Sequence, residues 1–217
     1  MAIAFFDFDK TLIRKNSGSL WLRHEVRNGR IRTSHALRAA LMLGTYKLGY
    51  VRLDAGIRFA IQTLEGSKES ELRERVAEFY QKEVRRHYRD RALREVERHR
   101  EQGDHLVLLT SASLYLSEVV RDDLGLHDVL CNRFEVDADG RFTGEPEGTL
   151  CYGPGKRVHA EAFAADRAES LDDATFYTDS MADLPALEAV GHPRVVNPDP
   201  RLARQARRRN WPILDWD

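Results

Sequence analysis

The sequence predicts an α/β protein: a doubly wound parallel sheet that carries an inserted all-helical domain and one β-hairpin. Three observations predict it. Short apolar runs that read as buried strands alternate with helical patterns through the second half of the chain. The stretch from Ile13 to about Glu101 is helical in pattern almost throughout, and "RFEVDADGRFTGE" alternates on either side of Ala-Asp-Gly. Alternation of strand and helix indicates a parallel sheet covered on both faces. Alternation about a tight turn indicates a hairpin.

The elements follow in order. "IAFF" (3–6) is a buried strand that runs straight into Asp7 and Asp9. The helical stretch after it, interrupted near Gly44, Gly49 and Gly66, is too long for a crossover between neighbouring strands. Most of it reads as an inserted helical cap, residues 14–88. Its last helix, "DRALREVERHREQG", rejoins the sheet domain, residues 1–13 plus 89–217. Strands "HLVLLT" (105–110) and "VLCN" (129–132) flank the helix "LYLSEVVRDDLGL", which stops near Gly125. The hairpin comes next, then "GKRVHAEAFAADR" opening after Gly-Pro-Gly. Strand "ATFYT" (174–178), helix "ADLPALEAVG" and strand "RVV" (194–196) complete a Rossmann-like core. The chain has no internal repeat and no low-complexity linker.

Composition excludes several classes. With 217 residues, 42% hydrophobic and 32% charged, the chain buries an ordinary core. Its formal net charge of −1 gives no reason to expect nucleic acid as a partner. No apolar run approaches a membrane span, and charge arrives at Asp7 before a signal-peptide core could form. The expectation is a cytoplasmic protein with Cys131 and Cys151 as free thiols. Residues 14–58 hold ten Lys or Arg against Glu25 and Asp54. Solvent exposure explains that bias more readily than a binding surface does. A weaker expectation sets the basic, aromatic-bearing stretch "LRAALMLGTYKLGYVRLDAGIRF" against an anionic lipid surface; the stronger one makes its apolar residues the cap's own core.

In a doubly wound sheet, chemistry gathers at the carboxyl ends of the strands. The polar residues there are Asp7, Asp9 and Thr11 after the first strand, Thr110, Ser111 and Ser113 after the second, and Asp179, Ser180 and Asp183 after the fourth. Lys156 opens the helix before the fourth. Four carboxylates in one crevice repel unless a cation lies among them, and oxygen ligands favour Mg²⁺. Hydroxyls, a lysine and helix-opening amides suit a phosphate. Taken singly, Asp9, Asp179 and Asp183 read equally well as capping groups, and Asp7 as a chance polar residue at a strand end. Thr110 and Ser111 read more readily as helix caps, and Lys156 as a surface lysine. Their joint order is what points to a site.

"DFDKT", "TSAS", "GK" and "DSMAD", in that order, resemble the four signature motifs of the haloacid dehalogenase superfamily, most nearly its phosphoserine-phosphatase-like subfamily IB. The tail, with "NPDPRL" and "WPIL", also resembles that subfamily. The resemblance implies a Mg²⁺-dependent phosphomonoester hydrolase acting on a small phosphorylated metabolite. Asp7 would be the nucleophile that forms an aspartyl-phosphate, and Asp9 the proton carrier. Thr11, Ser111 and Lys156 would hold the phosphoryl group. Asp7, the Asp9 carbonyl and Asp179 would hold the metal, with Asp183 as a further ligand or beside it.

Two departures stand out. Thr178 occupies a place often taken by Gly, and since that residue acts through its backbone, only packing is expected to change. Phosphoserine phosphatases carry a glutamate soon after the first motif, but "RKNSGSLW" has no acid and the next one is Glu25. An unpartnered ammonium loses a charge-assisted contact of about 2–3 kcal/mol, so phosphoserine is not the first choice of substrate. Arg58 is a candidate cap contact to substrate. Two other readings are a phosphotransferase or mutase with the same nucleophile, and a non-catalytic phosphate-binding or signalling module.

Overall fold

Why the apolar runs lack alternation is plain from the sheet. The computed structural model describes residues 2–30 and 53–217. Among them are seven strands: β1 (Ile3–Phe6), β2 (His105–Ser113), β3 (Asp128–Val136), β4 (Phe142–Glu147), β5 (Thr175–Thr178), β6 (His192–Val196) and β7 (Ile213–Leu214). They form one sheet in the order β4-β3-β2-β1-β5-β6-β7, parallel except for the antiparallel β3–β4 pair. Strand β1 lies at its centre, so both faces of its residues must be apolar. Ala4, Phe6, Leu106 and Leu108 belong to the core on one face; Ile3, Phe5, Val107 and Leu109 belong to the core on the other.

The described helices are α1 (Ser17–Arg27), α2 (Leu53–Gln62), α3 (Glu69–Phe79), α4 (Asp90–Glu101), α5 (Leu114–Leu124), α6 (Pro154–Asp166), α7 (Leu184–Leu187) and α8 (Pro200–Arg209). A π-helical turn, Tyr80–Val84, and a 3₁₀ turn, Arg85–His87, link α3 towards α4. Local chemistry sets the ends. The Asn16 side chain accepts from Ser19 N at the start of α1, and Gly125, at φ +59°, ends α5 in the left-handed region that glycine tolerates.

Three boundaries differ from the sequence reading. Strand β2 runs on to Ser113, with an irregular register against β3 between Leu109 and Ser113. The predicted strand 129–132 and the first arm of the hairpin are one continuous strand, β3. The two-residue edge strand β7 was not anticipated; it exists through pairing of Ile213 and Leu214 with Val195 and Val196.

The described part of the helical insert rests on the hairpin. Gly66 N donates to Phe142 O at 2.9 Å, and Phe142 N to Ser67 O at 3.0 Å. Leu72, Val76 and Phe79 of α3 share a core with Phe6, Tyr115 and Phe142. The chain enters and leaves the insert side by side: Arg14 N donates to His87 O at 2.9 Å and Arg89 N to Leu12 O at 3.0 Å. Arg32, Arg38, Lys47, Arg52 and most of the stretch considered for lipid contact lie outside the described residues. Of the remaining basic residues, Arg27 pairs with Glu83 at 2.9 Å and Arg30 with Glu25 and Glu78 at 3.4 Å. No helix among the described residues is long and apolar enough to cross a membrane. Cys131 and Cys151 are free and buried.

Candidate active site

The site is built where β1, β2 and β5 end. Asp7 follows the last residue of β1, its N–H still held by Tyr177 O of β5 at 2.9 Å. The residue is 5% exposed. Lys156, near the start of α6 and 2% exposed, points its ammonium at Asp7 Oδ1 and Asp183 Oδ2, each at 2.7 Å. Among the described residues no donor reaches Asp7 Oδ2. Burial pushes the Asp7 carboxyl up to about 7; Lys156 opposes the rise, while Asp183 and Asp9 add to it. Burial alone would lower Lys156, but the paired Asp183 and Asp7 outweigh it and hold the ammonium above its ordinary range.

Asp179 and Asp183 follow β5. Asp179 is 7% exposed, and no donor among the described residues reaches its carboxylate. Burial, then the neighbouring Asp7, raises it to about 8. Asp183 is differently placed. Its Oδ2 receives both Lys156 Nζ and the Thr178 hydroxyl, the latter at 2.6 Å. The Thr178 hydroxyl thus makes a contact that a glycine at this place could not make, in addition to any change in packing.

Asp9 lies one residue past Phe8, on a turn where Lys10 takes φ +60°. Its carboxylate accepts from Ser17 N at 2.6 Å and Asn16 Nδ2 at 2.9 Å, so it caps the entry to α1. Burial raises its pKa, with the Ser17 hydrogen bonds opposing. Thr11 is fully buried, and its Oγ1 has no hydrogen-bond partner. Ser111 is partly buried, and its carbonyl accepts from Asn132 Nδ2 at 2.6 Å. Arg58 is exposed on α2.

The turn into α6 is unusually tight. A Cβ built on Gly155 would overlap the Leu150 carbonyl oxygen, so only glycine lets the chain bring Lys156 in at this depth. Gly153, at φ +55°, makes the turn before it.

Two contributions escaped the sequence reading. One is the Thr178 hydroxyl. The other is Asn132, 2% exposed in the middle of β3; an amide closing the apolar run "VLCN" was the available signal.

The donor set was weighed against a cation. Among the described residues no three His, Cys, Asp or Glu side chains converge as a metal cage. Yet of three buried carboxylates, Asp7, Asp179 and Asp183, only Asp7 and Asp183 contact the buried ammonium of Lys156. Asp7 and Asp179 are both pushed towards protonation by that imbalance and by burial. Two unsated carboxylates suit a hard divalent ion that keeps much of its water, as Mg²⁺ does.

A family model described as haloacid dehalogenase-like hydrolase matches residues 4–188. The chain is 28% identical over 218 residues to the histidinol-phosphatase of Neisseria meningitidis, covering 99% of this chain and 98% of the relative. It is 31% identical over 221 residues to phosphoserine phosphatase SerB1 of Mycobacterium tuberculosis, covering 99% of this chain and 71% of the relative. A crystal structure of a Bordetella pertussis protein of unknown function superposes with a TM-score of 0.91 at 29% identity, covering 100% of this chain and 99% of the other.

Proposed function

Since this chain belongs to the haloacid dehalogenase-like hydrolases, we propose that it is a Mg²⁺-dependent phosphomonoesterase that works through an aspartyl-phosphate on Asp7. The observation that carries the reading is the buried Lys156–Asp7 contact at 2.7 Å, beside a second Asp7 oxygen that no described donor occupies. An ammonium on Oδ1 orients the carboxylate and lets an anionic nucleophile meet an anionic ester.

The Asp7 oxygen forms a bond to phosphorus as the ester oxygen leaves. Asp9 donates a proton to the departing alkoxide, then takes one from the water that cleaves the aspartyl-phosphate, and free phosphate departs. A proton carrier must be protonated near neutrality at the first step, and burial moves Asp9 in that direction. Its hydrogen bond from Ser17 N fixes the carboxylate while the proton is carried. The Thr11 hydroxyl, buried without a partner, and Ser111 are the neutral donors available to phosphoryl oxygens. Mg²⁺, held by Asp7, Asp179 and the Asp9 carbonyl, would neutralise charge on the transferring phosphoryl group. Asp183 holds Lys156, in our reading, and serves the metal only indirectly.

The substrate is a small phosphorylated metabolite. The two phosphatase relatives carry names that indicate amino-bearing phosphate esters. Glu25, the first acid after Asp9, is fully buried and paired with Arg75 and Arg30. It is spent on those cations and does not offer a carboxylate to a substrate ammonium. That disfavours phosphoserine.

The test is phosphate release from p-nitrophenyl phosphate with Mg²⁺ or with EDTA, comparing the wild type with Asp7→Asn. Metal-dependent release that vanishes in the variant supports the reading. Release that survives in Asp7→Asn shows that Asp7 is not the nucleophile.

A further inference from the structure

We infer that Asn132 is a positioning residue for this site, tying the Ser111 end of β2 to the turn that delivers Lys156. The inference rests on the phosphatase reading above and extends it to a side chain outside the four motifs. Asn132 is 2% exposed and uses both ends of its amide. Nδ2 donates to Ser111 O at 2.6 Å, and Oδ1 accepts from Cys151 N at 2.8 Å. Ser111 lies where the β2–β3 register is irregular, so this stretch of β2 is not held by a regular ladder. The segment after Cys151 turns through Gly153 and Gly155 into Lys156, with Tyr152 N bonded to Leu150 O and Lys156 N to Gly153 O.

One amide therefore joins the end of β2 to the turn that leads into α6. A buried primary amide with both ends satisfied is costly to replace, because each truncation leaves a backbone group unpaired. Aspartate is no substitute: it keeps an acceptor for Cys151 N but sets a second acceptor against Ser111 O. Asn132 touches neither substrate nor the Asp7 carboxylate in this scheme. It acts through Ser111 and through the path of the Lys156 turn.

The experiment is a double-variant cycle on p-nitrophenyl phosphate hydrolysis with Mg²⁺, using Asn132→Ala, Ser111→Ala and their combination. Folding is monitored by melting temperature, with Asp7→Asn as the blank. Asn132→Ala is expected to lower kcat about 10–100-fold, as small misplacements of a reacting group do. Added to Ser111→Ala, it should cost several-fold less than it does alone, since the part of its effect that runs through the Ser111 hydroxyl is already lost while the part carried by the Lys156 turn remains. Should Asn132→Ala fail to fold, Asn132→Asp, which retains the acceptor for Cys151 N, takes its place in the cycle with the same expectation. Folded variants with wild-type kcat, or losses that multiply in the combination, overturn the positioning role while leaving the phosphatase reading intact. Wild-type activity no higher than that of Asp7→Asn overturns both.

Discussion

Lys156 and Asp183 form a buried ion pair, Nζ to Oδ2 at 2.7 Å, and the same ammonium reaches Asp7 Oδ1 at 2.7 Å. One cation thus holds the proposed nucleophile in register with the loop after β5. Breaking a buried pair by removing one partner costs about 3–5 kcal/mol, because the other charge stays behind. Lys156→Met should therefore lower unfolding free energy by about that amount and abolish activity. Urea melts and initial rates check both. A variant as stable as the wild type would mean that the carboxylates are protonated and that the lysine is not holding them.

Asp183→Asn separates positioning from metal binding. The amide keeps the size of the side chain but removes the charge facing Lys156 and changes the acceptor for the Thr178 hydroxyl. The expected result is a kcat lowered about 10–100-fold with the Mg²⁺ concentration for half-activity nearly unchanged. A large rise in the Mg²⁺ requirement would instead make Asp183 a ligand.

Asp7 and Asp179 give the metal-free protein a pH dependence with a definite sign. Both are raised from 3.8, to about 7 and about 8. The folded state then binds more protons than the unfolded state between pH 4 and 8, so their contribution to stability falls as pH rises through that window. Melting temperature in EDTA should decline from pH 5 to 8, and saturating Mg²⁺ should flatten the decline, because an ion that binds the carboxylates favours their charged form. A metal-free protein that grows more stable towards pH 8 would show that these two groups do not dominate.

Gly155→Ala tests the tight approach before Lys156. The added Cβ overlaps the Leu150 carbonyl oxygen, which is backbone and cannot rotate away. Overpacking of this kind costs about 1–3 kcal/mol, and the displaced turn should carry Lys156 with it. A fall in both melting temperature and kcat is expected; an unchanged kcat would show that the lysine re-seats itself.

Arg89 should matter well beyond its place in sequence. It is 4% exposed, donates from Nη2 to Lys10 O at 3.2 Å and pairs with Asp217 through Nη1. Lys10 is the residue at φ +60° between Asp9 and Thr11. Arg89→Met leaves Lys10 O without that donor and should lower kcat, while loss of the pair with the exposed Asp217 should cost no more than about 1 kcal/mol of stability. Asp217→Ala, which spares the Lys10 contact, should leave kcat closer to wild type. Equal losses in the two variants would place the effect in the ion pair alone.

Sequence pattern made the sheet core legible because burial on both faces leaves an apolar run with a charge at its end, as at Ile3–Asp7. The stop of α5 at Gly125 was legible because the left-handed cap needs that residue type. Strand β7 was not, since two residues carry no period and owe their conformation to β6. The segments carrying Asp7, Ser111, Lys156 and Asp179 could be ordered from their motifs, but not the pairing of individual oxygens. Asp183 was read as a metal ligand or as standing beside the metal, and its Oδ2 faces Lys156 and Thr178. Asn132 carried no motif; its role depends on Ser111 and Cys151, which are distant in sequence.

The most direct measurement asks where phosphate goes. The wild type, mixed with p-nitrophenyl phosphate and Mg²⁺, is quenched in acid during turnover and reduced with borohydride, which converts an aspartyl-phosphate to homoserine. Peptide mass spectrometry then reads the position. Homoserine at position 7, absent when substrate is omitted, is the predicted result. An enzyme that turns over steadily with Asp7 unmodified, or with the label on another residue, would contradict the assignment of Asp7 as the nucleophile.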